Sequence, residues 1–152
     1  MAEVDVVLRP ALASDADDIA RVMRASLDSL PWMPLLHTPE ADRGFVRGHL
    51  LPNQRVTIAE VGGRIVGFIA VEGEWIEQLY LDPAWTGRGI GSRLLAVATA
   101  DMPVSRLHCF QANDGARGFY ERHGFRAEAF GDGSRNEEGL PDITYVRSVL
   151  PK

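Results

Sequence analysis

The chain has 152 residues, 45% of them hydrophobic and 24% charged, which is enough apolar content for a real core and not the composition of a disordered chain. Its formal charge of −5 argues against a nucleic-acid binder, since such proteins ordinarily carry a basic face. A lone cysteine, Cys109, excludes an intrachain disulfide framework, and no apolar run reaches the roughly 18 residues of a membrane span.

The elements follow in chain order. The stretch VDVVLRP predicts a first strand stopped at Pro10, behind an N-terminus without the basic and then apolar order of a signal peptide. A soluble, cytoplasmic protein forming one domain over residues 1–152 is therefore expected. SDADDIARVMRASLDSL predicts a helix with Ser14 or Asp15 as its cap and Ile19, Val22, Met23 and Leu27 as its apolar stripe. The prolines around Trp32 break it. Thr38 then caps a second helix with Pro39 in first position, and Phe45, Val46 and Leu50 face inward. This irregular region is a reasonable place for a substrate-facing wall.

RVTIAEVGGRIVGFIAVEG reads as a hairpin closed by Gly62-Gly63. WIEQLYLDP is a strand ended by Pro83, GIGSRLLAVATA a helix, and SRLHCFQ a strand in which Cys109 is a small core thiol. DGARGFYERH is a helix, FRAEAF a strand, DGSRNEEGLPD a polar loop and ITYVRSVL a final strand. An antiparallel meander followed by alternating strands and helices implies a mixed α/β sheet with helices on both faces.

The segment LYLDPAWTGRGIGSRLL places Gly87, Gly89 and Gly91 between a strand and a helix, spaced GxGxG. A dinucleotide fingerprint needs GxGxxG and a P-loop needs a Lys before Ser or Thr, so neither motif is present. The physical content of such a loop remains. The first turn of a helix offers N–H groups without intrahelical partners and a positive dipole end, and glycines let a charged oxygen approach them. Ile90, Leu94, Leu95 and Ala98 would pack the helix behind the loop, while Arg88 and Arg93 add positive charge. A phosphate or pyrophosphate site and a plain glycine turn with solvated arginines both satisfy these residues.

Together, LYLDPAWTGRGIGSRLL and NDGARGFYERHGF resemble the GCN5-related N-acetyltransferase family. The first matches its acyl-CoA pyrophosphate motif, in slots filled here by Thr86, Gly87, Arg88, Gly89, Ile90 and Gly91. The second matches its later Asn…Ala…Tyr region through Asn113, Ala116 and Tyr120. The resemblance implies an acyl-CoA N-acyltransferase fold of the α/β class, with a mostly antiparallel, splayed central sheet of about six to seven strands. It implies acetyl-CoA as cosubstrate and an amine as acceptor; homodimers are common in the family. Thr86 departs from the usual Gln or Arg. The family binds the diphosphate largely through backbone N–H groups, so those of Arg88, Gly89, Gly91 and Ser92 are expected to remain usable. The backbone of Leu79 and Leu81 is expected to pair with the pantetheine arm, in the manner of an added strand. Asn113 either caps its helix, contacts the pantetheine or pyrophosphate, or does both.

Attack of an amine on the thioester expels a thiolate, which needs a proton. A phenol, with a pKa of about 10, is protonated at neutral pH and can give one. The resemblance assigns this role to Tyr120, whose alternative is a core aromatic. The amine in turn must lose a proton. Among the carboxylates Glu72, Glu74 and Glu77, period-two alternation puts Glu77 on the side of Leu79 and Leu81. Glu77 is then the candidate base, or a solvated residue that attracts a cationic amine. The histidines His37, His49, His108 and His123 have no acid at a telling spacing, and none is singled out. No metal-ligand spacing occurs. The expected activity is transfer of an acetyl group to a small, cationic primary amine by direct attack. The alternatives are a peptide or protein amine, with the loop Gly131–Asp142 lining either site, and a non-catalytic acyl-CoA-binding module. Nucleic acid and membrane are not expected partners.

Overall fold

The computed structural model describes residues 5–149. The readings made on Met1–Val4 and on Leu150 lie outside them. The strands β1 (Val6–Pro10), β2 (Arg55–Val61), β3 (Arg64–Glu72), β4 (Trp75–Leu81), β5 (Val104–Phe110), β6 (Arg126–Gly131) and β7 (Asp142–Ser148) are ordered β1-β2-β3-β4-β5-β7-β6, mostly antiparallel, with β4 and β5 running parallel. The fold is thus mixed α/β, a splayed seven-stranded sheet flanked by helices. Residues up to 72 together with 78–100 form one compact unit; residues 73–77 together with those from 101 onward form a second.

In the first unit, β1 (Val6–Pro10) pairs antiparallel with β2 (Arg55–Val61), and β2 with β3 (Arg64–Glu72). The Gly62-Gly63 turn closes the second pair. Between them in the chain run α1 (Ala16–Asp28) and α2 (Pro39–Phe45), the latter continued by a π-helical stretch Val46–Leu50 and a single turn α3 (Leu51–Asn53). Thr38 caps α2 through its hydroxyl, which accepts the Ala41 N–H at 3.1 Å. Asp15 does not cap α1 with its side chain. Its carboxylate turns to Arg9, which donates to it at 2.8 and 3.1 Å, and to the Leu12 N–H at 2.7 Å. A two-pronged, charged partner outcompetes a neutral helix N–H. Ile19, Val22, Val46, Leu50, Ile58 and Phe68 are wholly buried in one cluster. Each such side chain contributes about 1.5–3 kcal/mol by leaving water.

The register of β2 against β3 jumps from Ala59↔Gly67 to Glu60↔Ile65, so Val66 is an extra, bulged residue. Its carbonyl accepts the Asp82 N–H at 2.8 Å, just past the end of β4 (Trp75–Leu81). A Cβ on Gly67 would fall 2.3 Å from Leu81 Cδ2 and 3.2 Å from the Tyr80 carbonyl oxygen. A larger residue here would force the Leu81 side chain aside and push against the β4 backbone, so glycine suits the close approach of β3 to β4. After β4 come a short 3-10 turn, Pro83–Trp85, and α4 (Ile90–Thr99).

The second unit takes the first residues of β4, then β5 (Val104–Phe110), α5 (Asp114–Arg122), β6 (Arg126–Gly131) and β7 (Asp142–Ser148). Trp75 registers with Arg106 in the parallel β4–β5 pair, and the Arg106 N–H donates to the Glu74 carbonyl at 2.8 Å. β7 pairs antiparallel with both β5 and β6. Alternation buries Leu107, Cys109, Ile143 and Tyr145, and turns His108 and Thr144, which lie opposite each other, to the other face.

Candidate active site

The glycine loop belongs to the first unit. Asp82 accepts the Ala84 N–H at 3.0 Å, and the Thr86 hydroxyl donates to the Pro83 carbonyl at 3.1 Å. Thr86 therefore braces the turn with the short side chain that replaces the family's long one. Gly87 and Gly89 lie at φ +74° and +81°. Nothing sits within 4 Å of a Cβ built on either. Glycine is thus demanded by the left-handed backbone, and the space above it stays open. Gly89 is the N-cap of α4, and as a glycine it brings no side chain to cap that helix. Its carbonyl accepts the Arg93 N–H at 3.2 Å, the first helical bond. Behind the loop Ile90, Leu94, Leu95 and Ala98 are buried, as the stripe predicts, so the helix start is held from below. The Arg88 guanidinium lies 4.7 Å over the Trp85 ring, which ties the loop's cation to its own base. Leu79 and Leu81 are half-buried on β4. This half of the predicted set is therefore brought together locally, and the charge and open backbone suit a diphosphate.

Asn113, Tyr120 and Glu77 belong to the second unit. Asn113 caps α5: its Oδ1 accepts the Ala116 N–H at 3.1 Å. Tyr120 is 9% exposed, ringed by Phe119, Phe125 and Tyr145. Tyr145 donates its hydroxyl proton to Glu121 at 2.7 Å, and burial, ahead of Glu121, raises its phenol above the usual range. Glu77 is exposed. Glu74 meets Arg106 at 3.4 Å, and Arg106 also pairs with Glu128. Burial pushes the Cys109 thiol up to about 11, which leaves it an inert core group.

The sequence passes over one feature of this unit. A cavity of about 830 Å³ opens over β5, β6, β7 and the loop that follows β6, with His108, Asp132, Arg135, Glu138, Asp142 and Thr144 among its lining residues. The His108 ring stacks on Trp75 at 4.7 Å and 27°, and its Nδ1 lies 3.2 Å from Thr144 Oγ1. The loop is held in shape: Asn136 donates to the Leu140 carbonyl at 2.9 Å and accepts the Leu140 N–H at 3.2 Å. Ser134 donates to Asp132 from its hydroxyl and its backbone N–H, the latter at 3.0 Å, and holds that carboxyl below the usual carboxylate range. The acidic run in DGSRNEEGLPD is the signal that points to this wall. The signal for His108 is its alternation with two core residues on β5. Among the described residues, no group of three or more His, Cys, Asp or Glu is placed to hold a metal, and no helix is long and apolar enough to cross a membrane.

A strand-loop-helix with left-handed glycines, on a splayed sheet of this order, defines an acyl-CoA N-acyltransferase fold. The family model for the acetyltransferase (GNAT) domain matches residues 52–127, half of the chain. An uncharacterized N-acetyltransferase of Archaeoglobus fulgidus is 30% identical over 146 residues, covering 84% of this chain and 98% of the relative. The chain belongs to the GNAT acetyltransferase family. It is also 31% identical over 82 residues to the peptidyl-lysine N-acetyltransferase YiaC of Escherichia coli; that match spans 53% of this chain and only 56% of the relative. Among solved structures, a GCN5-related N-acetyltransferase of Rhodopseudomonas palustris superposes with a TM-score of 0.78 at 25% identity, covering 98% of this chain and 99% of that one. The PaiA N-acetyltransferase of Thermoplasma acidophilum, solved in complex with coenzyme A, gives 0.73 at 20% identity, covering 95% and 99%.

Proposed function

We propose that the chain transfers an acetyl group from acetyl-CoA to a primary amine that arrives as a small cation. The observation that carries this reading is the glycine loop. Gly87 and Gly89 sit in the left-handed region with open space above them, at the start of a helix whose N-cap is itself a glycine. The N–H groups of Arg88, Gly89, Gly91 and Ser92 are the proposed ligands of the diphosphate. The backbone of Leu79 and Leu81 is the proposed seat of the pantetheine arm, and Asn113, which caps α5, is a further proposed cofactor contact. The amine nitrogen attacks the thioester carbonyl carbon, the C–N bond forms, and the C–S bond then breaks with its electron pair going to sulfur. Tyr120 gives that sulfur its phenolic proton and regains one from the cationic nitrogen of the adduct. The first ammonium proton can leave through Glu77 or through the His108 imidazole.

A second reading, a peptide lysine as acceptor, is favoured by the match to the Escherichia coli peptidyl-lysine N-acetyltransferase. The test of both is free-thiol release from acetyl-CoA across polyamines, amino acids, aminoglycosides and lysine peptides. Release with small amines and not with peptides supports the first reading, and the reverse pattern supports the second. Uptake of acetyl-CoA without amine-dependent release would make the chain an acyl-CoA-binding module and overturn both.

A further inference from the structure

We infer that His108 takes the proton from the acceptor ammonium, in the cavity bounded by β5, β6, β7 and the loop that follows β6. The inference rests on the acetyltransferase reading and deepens it by naming the acceptor side. Three observations carry it. His108 lies on the open face of β5, between the buried Leu107 and Cys109, and lines a cavity of about 830 Å³, large enough for an amine with its carbon chain. The ring is fixed twice: Trp75 covers one face at 4.7 Å, and Thr144 Oγ1 lies 3.2 Å from Nδ1. A hydroxyl that accepts the Nδ1 proton leaves Nε2 as the nitrogen with the free lone pair, which is the requirement for a base. The charge around the ring also favours a cation. Asp132, Glu138 and Asp142 line the cavity against one Arg135.

The other charged groups near the ring leave this balance standing. On its own strand Arg106 is engaged by Glu74 and Glu128. On β4 the exposed Glu77 follows the stacked Trp75 by two positions, on the same side of the strand, and is not among the residues lining the cavity. From the loop, Asp132 stays anionic because Ser134 holds it below the usual carboxylate range. The cavity carboxylates thus draw the ammonium in, and the imidazole Nε2 accepts one N–H proton and releases it to water. The nitrogen lone pair so freed forms the new C–N bond. A carboxylate in the base role would have to compete with its own task of binding the cation.

The test compares wild type, His108→Gln and Glu77→Gln in the full chain. Acetyl-CoA uptake is measured by calorimetry, and kcat and KM are measured across pH with the best acceptor from the amine panel. His108→Gln is expected to bind acetyl-CoA as wild type does, to lower kcat by about 10²-fold or more, and to abolish the rise of kcat/KM on the acid side. Glu77→Gln is expected to keep that rise. An acid-side rise retained in His108→Gln, or lost in Glu77→Gln alone, overturns the assignment while leaving the acetyltransferase reading intact. A wild-type chain that takes up no acetyl-CoA overturns both.

Discussion

The left-handed N-cap of α4 sets a stability difference that a pair of identical substitutions can read. Gly89 sits at φ +81°, and nothing lies within 4 Å of a Cβ placed on it. Gly89→Ala therefore introduces no clash, and its whole cost is the backbone conformation, about 1–2 kcal/mol for an L-residue in this region. Reduced freedom of the unfolded chain returns roughly 0.4–1 kcal/mol. The net is a loss of about 1 kcal/mol, or a fall in Tm of roughly 2–4 °C at this chain length. Gly44, in α2, is also open within 4 Å but has an ordinary φ. Gly44→Ala should gain about 0.5–1 kcal/mol, so the same chemical change carries opposite signs at the two sites. Thermal and urea unfolding of both variants measure this directly. Calorimetry with acetyl-CoA should show weakened binding for Gly89→Ala and unchanged binding for Gly44→Ala. A Gly89→Ala chain as stable as wild type, with unaltered uptake of acetyl-CoA, would refute the claim that this turn is built for the diphosphate.

Other expectations rest on separate contacts. Tyr120→Phe should lower kcat by about 10²–10⁴-fold with little change in acetyl-CoA affinity, checked by steady-state rates beside calorimetry; the opposite split removes Tyr120 from the acid role. Asp42 is 3% exposed and held by Arg24 at 2.7 and 2.8 Å. Asp42→Ala should cost about 3–5 kcal/mol in urea unfolding, since the guanidinium loses both bonds and keeps a 3.4 Å contact to the exposed Asp28, while Arg24→Met with Asp42→Leu should recover most of it. The Arg9 guanidinium holds the Asp15 carboxyl below its ordinary value, outweighing the rise that burial would cause. Asp15 stabilises the fold fully above the unfolded carboxylate value, about 3.9, and this contribution fades as pH falls toward the lower folded value. Asp15→Asn should flatten the decline in unfolding free energy over that acid window. Because burial lifts the Cys109 thiol to about 11, it should resist a thiol reagent at pH 7.5 until denaturant is added.

The features legible in the sequence are those whose cause is local. A left-handed turn needs glycine wherever the rest of the chain lies, so Gly62-Gly63 and the Gly87–Gly91 loop can be placed from residue type alone. The same holds for Thr38 before Pro39 and for Asn113, whose caps reach three residues along the chain. Asp15 shows the limit: it has the residue type of a cap, but its partner Arg9 reaches it from β1 and is shared with Glu60 on β2. Gly67 has no local reason at all, and is explained only when Leu81 and the Tyr80 carbonyl arrive against it. His108 belongs with Gly67. Its ring is fixed by Trp75, 33 positions earlier, and by Thr144, 36 positions later, and neither spacing marks a histidine as special in one dimension. The glycine loop could thus be drawn from a single segment. The residues proposed for the acceptor side come from three strands and a loop, and because only the folded sheet brings them together, no single segment of the sequence marks them.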